Sequence, residues 1–283
     1  MYSDIKGKVA IVTGAGRQGG LGAAIAMRLA DEGACVVVHD IGDRINTDAD
    51  SSGLGDTDEL ERVVRTIQTA GGTASACSAD LTQEDDVREL VQFAVDQYGR
   101  LDILINNAGV GYLFAPLLEM TQERWDMTMN VNLRGAFFAL KHAAAQMVSQ
   151  DEIDGWGRGR IISIASRAAK SGSALTSAYT ASKHGLIGLT RSAAVELGPQ
   201  RINVNAVCPN HVTTGLGAWQ NEYMANMKGQ SVEEYLDAMR ERIPLGRVGE
   251  VEDTAKACAF LCSGESNYVT GEAMNVSGGE EYH

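Results

Sequence analysis

The 283 residues are 44% hydrophobic and 22% charged, a balance that can bury a core without staples, and 24 Lys/Arg against 37 Asp/Glu leave a net charge of −13. That charge opposes a nucleic-acid or anionic-membrane partner. No apolar run reaches the ~18 residues of a membrane span, and the opening MYSDIKGK lacks signal-peptide architecture.

Short apolar runs alternate with longer amphipathic stretches along the whole chain. Strands are predicted at 8–13, 34–39, 73–78, 101–106, 160–165, 202–208 and 272–276, and helices near 21–32, 57–70, 83–98, 121–149, 178–197 and 250–262. This β-α-β-α repetition implies an α/β fold: a doubly wound, seven-stranded parallel sheet with helices on both faces, in one domain over 1–283. Glycine is in excess at 32 residues, with only 4 prolines, as turns and close backbone approaches require. Cys35, Cys77, Cys208, Cys258 and Cys262 form no CxxC pair, and the histidines are scattered. The expectation is a reduced, cytoplasmic protein that uses no metal.

After the first strand, Gly14-Ala15-Gly16-Arg17-Gln18-Gly19-Gly20-Leu21-Gly22 leads into a helix. Gly14-x-Gly16-x-x-Gly19 has the spacing that lets backbone N–H groups approach a pyrophosphate at a helix N-terminus, and Asp40, ending the second strand, can hold ribose hydroxyls. These residues predict a dinucleotide site. The segment 41–56 is long for a connection. Its Asp48-x-Asp50-x-Ser52-Gly53-x5-Glu59 follows the spacing of a calcium loop, but no helix enters it, and it is read as a solvated acidic loop.

Ser166 stands near the end of the fifth strand, and thirteen residues on come Tyr179 and Lys183, one helical turn apart on one face. At the carboxyl edge of a parallel sheet, a nearby ammonium can lower a tyrosine pKa and make the phenol a usable acid/base. The segment 209–249, with Trp219, Tyr223, Met224, Met227, Tyr235 and Met239, is a candidate substrate lid. His211, Tyr112, Leu113 and Phe114 are candidate pocket residues. Gly185 and Gly188 interrupt the Tyr179 helix, which close helix packing would justify.

Taken together these residues resemble the short-chain dehydrogenase/reductase family, over nearly the whole chain. The resemblance implies a Rossmann-like fold and an NAD-dependent oxidoreductase moving a hydride between nicotinamide and a secondary alcohol or ketone. In it Ser166, Tyr179, Lys183 and Asn132 are catalytic. Cofactor contacts come from Gly14, Gly16, Gly19, Gly20, Leu21, Asp40, Asp80, Leu81, Asn107, Ala108, Gly109, Tyr179, Lys183, Pro209, Val212 and Thr213. It also implies a homo-oligomer, dimer or tetramer, built on the Tyr179 helix and the Ala-rich stretch 135–148. The glycine loop is two residues longer than the family's usual one, and Asn210 replaces a usual glycine. NADP is the less favoured cofactor because of Asp40, although Arg17 in the loop pulls the other way. Two alternatives stand beside this reading. One is a 3-oxoacyl-carrier-protein reductase, whose acidic carrier a −13 chain would repel. The other is a non-catalytic dinucleotide-sensing protein, which needs neither Tyr179 nor Lys183.

Overall fold

The computed structural model describes residues 2–44, 57–111 and 113–283, so the calcium-like loop at 48–53 and Tyr112 lie outside the described residues. The strands are β1 (Val9–Val12), β2 (Cys35–Asp40), β3 (Thr73–Ser78), β4 (Ile103–Asn106), β5 (Gly159–Ile164), β6 (Ile202–Pro209) and β7 (Ala273–Val276). They form one parallel sheet in the order β3-β2-β1-β4-β5-β6-β7, a doubly wound α/β arrangement whose order reverses between β1 and β4.

Alternation within the strands explains their near-continuous apolarity. Ala10, Val12, Val36, Val38, Ile103, Ile105 and Ile162 face one layer, formed by α1 (Leu21–Asp31), α2 (Thr57–Thr69) and α9 (Val251–Cys262). Val9, Ile11, Val37, Leu104 and Ile161 face the other, formed by α3 (Glu84–Tyr98), α5 (Ala136–Ser149) and the inner side of α6 (Ser177–Leu197). With both faces covered, the central strands offer few positions where water selects a polar residue.

Two predicted stretches are built differently. The helix expected over 121–149 is α4 (Gln122–Met129) and α5 joined by a π-helical turn at Asn130–Gly135. Segment 209–249 is not a loop but carries α7 (Gly215–Lys228) and α8 (Val232–Arg242). Thr214 caps α7 by accepting from Gly217 N, and Ser231 and Glu234 form a capping box on α8. The pair encloses a small core of Ala225, Tyr235 and Met239, with Met224 and Leu236 against it, so the methionines and tyrosine pack partly on one another.

The sheet also buries a charge. Arg160 on β5 is fully inaccessible, stacks 4.3 Å over the Trp156 ring, and donates to Trp156 O, Asn203 Oδ1 and Asn267 Oδ1. Burial pushes its pKa down to about 10.

Candidate active site

The loops at the carboxyl ends of β1 to β6 surround one cavity of about 870 Å³, placed where the sheet order reverses. One end is lined by Gly14, Gly20, Leu21, Asp40, Asp80 and Leu81, and the middle by Asn107, Ala108 and Gly109. Ser166, Tyr179, Lys183, Pro209 and Val212 line the other end.

The glycine turn is held from behind. Asn107 Nδ2 donates to the carbonyls of Thr13 and Gly14 (2.9 Å each), and Thr13 Oγ1 accepts from the N–H groups of Asn107 and Ala108. Gly14 has φ +64°, and a Cβ there would stand 2.6 Å from Ala108 Cα, so no larger residue fits. Gly16 and Gly19 behave otherwise than expected. Gly16 is buried against Asp40 and donates its N–H to Asp40 Oδ2 (2.9 Å), Gly19 is exposed, and neither lines the cavity. Gly20, Leu21 and Gly22 line the cavity in their place.

Asp40 is nearly buried, and its second oxygen accepts from Ile41 N (2.8 Å). Burial raises its pKa, the two backbone donors lower it, Glu59 raises it and Arg17 lowers it. Arg17 itself lines the cavity. Asp80 Oδ1 caps its own turn through Thr82 N and Oγ1.

At the other end, Ser166 follows β5 and opens a short 3₁₀ turn, Arg167–Ala169. The N-terminal turn of α6 brings Tyr179 against it, and the Ser166 hydroxyl hydrogen-bonds the phenol. Lys183, 4% exposed, lies 5.7 Å from the Tyr179 ring and donates to Ile164 O (2.8 Å). Ile164 is one residue past the last β4–β5 pair, Asn106–Ser163, which leaves that carbonyl for the lysine.

The electrostatics correct one expectation. Burial raises the Tyr179 pKa, with Ser166 alone pulling it down, while burial pushes Lys183 down to about 8. In the protein by itself desolvation outweighs any help from the ammonium.

Asn132 sits in the π-helical turn. Its amide accepts from Val110 N (2.7 Å) and donates to Val110 O (2.9 Å) and Ser182 Oγ (3.1 Å). Its side chain therefore braces the loop after Gly109 rather than facing the cavity. Thr213 is exposed and outside the lining; the next residue, Thr214, lines it.

Several residues around this end carry no motif of their own. Cys208, fully buried, accepts from Ser166 N–H through its sulfur and stands beside Tyr179 and Lys183. Arg167, His211, Met224, Tyr235, Met239, Arg242 and Glu280 close the far wall, with Phe114, which stacks on Tyr223 of α7 at 5.7 Å. Gly185 allows close packing within the chain, since a Cβ there would meet Leu133 at 2.8 Å, whereas Gly188 faces open space.

The sequence pattern of the family described as enoyl-(acyl carrier protein) reductase matches residues 14–281. A short-chain dehydrogenase/reductase of Armillaria gallica is 37% identical over 274 residues, 97% of this chain and 96% of that protein. A 3-oxoacyl-[acyl-carrier-protein] reductase of Staphylococcus epidermidis is 35% identical over 272 residues, 96% of this chain and 98% of that protein. The crystal structure of an NAD+-bound xylitol dehydrogenase superposes with a TM-score of 0.85 at 31% identity, covering 97% of this chain and 99% of that one.

Proposed function

Because the chain belongs to the short-chain dehydrogenase/reductase family, we propose that it is an NAD-dependent dehydrogenase of a secondary alcohol, or reductase of the matching ketone, with Tyr179 as acid/base. It is an oxidoreductase of the alcohol–carbonyl couple that uses a nicotinamide cofactor. The observation that carries the residue assignment is the meeting of Ser166, Tyr179 and Lys183 at one end of a cavity whose other end is a tight glycine turn beside a buried aspartate.

Bound there, the nicotinamide ring supplies the hydride acceptor or donor. Tyr179 takes the substrate hydroxyl proton onto its phenolic oxygen during oxidation and returns it during reduction. Ser166 donates to the reacting oxygen, where negative charge develops. Lys183 holds the ribose hydroxyls. With the Asn132 side chain committed to Val110 and Ser182, its part in a proton relay falls to the backbone carbonyl of the π-helical turn. Glycines 14 and 20, Leu21, Asp80, Leu81, Asn107, Ala108 and Gly109 form the cofactor bed, closed by Pro209, Val212 and Thr214.

Screening secondary alcohols, polyols, sugars and hydroxysteroids for NADH formation tests the reading. Turnover confined to carrier-linked oxo acids with NADPH would transfer the chain to the carrier-reductase reading, which its relative in Staphylococcus epidermidis suggests and its charge of −13 opposes. The residues named for proton transfer argue against a purely cofactor-sensing protein.

Asp40 decides between cofactors. A 2′-phosphate beside it adds up to two like charges, each costing about 4 kcal/mol at ~4 Å and an effective dielectric near 20 before relaxation. Arg17, partly exposed, returns about 0–1 kcal/mol. The expected preference for NAD is at least about tenfold in kcat/KM, or about 1.4 kcal/mol. Asp40→Ser should narrow it by relieving the repulsion of NADP. Equal use of both cofactors by the unaltered protein would mean that Arg17 outweighs Asp40.

The helices α7 and α8 are proposed to close over substrate, since Met224, Tyr235 and Met239 reach the cavity while Met227 is 61% exposed. Amide exchange with cofactor throughout, with and without a substrate analogue, should show added protection across 215–242. Unchanged protection would make the pair a fixed wall. We further propose a homo-oligomer, because α4 to α6 expose Trp125, Phe137, Val148 and Val195, and a cytoplasmic setting, because the buried cysteines are free thiols. No helix among the described residues is long and apolar enough to cross a membrane.

A further inference from the structure

The substrate end of the cavity reverses the sign of the protein. The chain as a whole carries −13, yet the ionisable groups of this wall are Arg167, Arg242 and Glu280, with His211 between β6 and α7. Glu280 accounts for one of the two guanidinium groups: its Oε1 stands 3.4 Å from Arg242 Nε, and its Oε2 accepts from Asn210 Nδ2. Arg167 makes no ion pair or side-chain hydrogen bond among the described residues. Its charge is felt across the pocket, lowering the pKa of His211, for which burial is the larger cause, and opposing the burial that raises Tyr235. His211 is thereby held neutral, with its Nε2 buried and lacking a hydrogen-bond partner among the described residues. On this wall one unbalanced cation therefore remains apart from the catalytic Lys183, immediately after Ser166 in the chain and on the same 3₁₀ turn.

We propose that the substrate is a monoanionic hydroxy acid, or the oxo acid it interconverts with, whose carboxylate pairs with Arg167 beside His211 while its reacting oxygen lies between Ser166 and Tyr179. This rests on the oxidoreductase reading above and adds a substrate class to it. The guanidinium fork matches a carboxylate in two parallel N–H···O bonds, which fixes the carbon skeleton relative to the reacting carbon. A single unbalanced charge suits a carboxylate better than a phosphate dianion, because Glu280 already occupies Arg242. Met224, Met239 and Phe114 provide an apolar wall for the intervening carbons.

The test compares matched pairs with NAD: hydroxy acids, their methyl esters, and hydroxyalkyl phosphates of the same skeleton. The expected result is a ten- to hundredfold higher kcat/KM for the acid than for its ester, carried mainly by KM. Arg167→Gln should reduce that acid-to-ester ratio at least tenfold, and Arg167→Lys should restore part of it. Thermal unfolding and NADH titration of each variant verify that the fold and the cofactor end survive. Esters used as well as acids, or an unchanged ratio in Arg167→Gln, would overturn the proposal while leaving an alcohol dehydrogenase standing. Phosphates preferred over acids would overturn the carboxylate assignment. No NADH from any secondary alcohol, charged or neutral, would remove the underlying NAD-dependent alcohol dehydrogenase reading instead.

Discussion

Tyr179→Phe should lower turnover by about 10²–10⁴-fold or more, with NADH binding retained. The substitution keeps the ring, and so keeps the contact with Lys183 at 5.7 Å, and deletes only the oxygen that meets Ser166. The cofactor bed at Gly14, Asp40 and Asp80 lies at the opposite end of the cavity and is untouched. The same reasoning predicts how the wild type responds to pH. Burial raises the Tyr179 pKa, so in the protein alone the phenol stays protonated through neutrality, the form suited to giving a proton to a carbonyl. Alcohol oxidation needs the deprotonated form, so its rate should climb as pH rises above neutrality, whereas carbonyl reduction should decline. Steady-state rates in both directions, with NADH fluorescence titration of Tyr179→Phe, check the set. Near-normal turnover in that variant would assign the proton transfer to another group.

The parts of the structure legible in the sequence are those set by the sheet. All seven strands fall within two residues of their predicted bounds, because strands covered on both faces are largely apolar and stand out from the glycine-rich turns between them. Periodicity could not reveal the π-helical turn, since one extra residue in the coil leaves the apolar stripe of 121–149 almost intact. The helices α7 and α8 were hidden for a different reason: they pack on each other and on the cavity through few side chains, with Tyr235 and Met239 the buried ones of α8, so their apolar stripe is sparse. Within the site, spacing placed Ser166, Tyr179 and Lys183 around one cavity, but which of their neighbours line it depends on three-dimensional contact. Gly16 supports Asp40 rather than lining the cleft, and the threonine that lines it is Thr214, not Thr213. Cys208 reads as ordinary core until β5 and β6 bring its sulfur under the Ser166 N–H. Arg160, with no ion pair among the described residues, could not be inferred as buried, because its hydrogen bonds go to Trp156, Asn203 and Asn267, neutral groups that are mostly distant in sequence.

Lys183→Met should be nearly inactive and yet no less stable than the wild type at neutral pH. The loss of a preorganised cationic donor is expected to reduce turnover by about 10²–10³-fold. Stability follows from linkage. The amine titrates at about 8 in the fold against 10.5 in an open chain, a difference equivalent to about 3 kcal/mol that the folded state bears while the amine is charged. Below pH 8 both states hold the proton, and the burden is at its full value. Between pH 8 and 10.5 the unfolded chain still binds the proton while the folded one has released it, so the wild type gains stability as pH rises. Methionine lacks that burden at every pH but deprives Ile164 O of its donor, which costs about 1–3 kcal/mol. The two terms nearly cancel at pH 7, and the second stands alone near pH 10. Denaturant unfolding of the cofactor-free proteins should therefore find similar stabilities at pH 7 and a clear advantage for the wild type at pH 10. A difference that does not change with pH would show the lysine to be solvated in the folded protein. It would also remove the reason to regard this charge as a stability cost retained for cofactor binding and proton transfer.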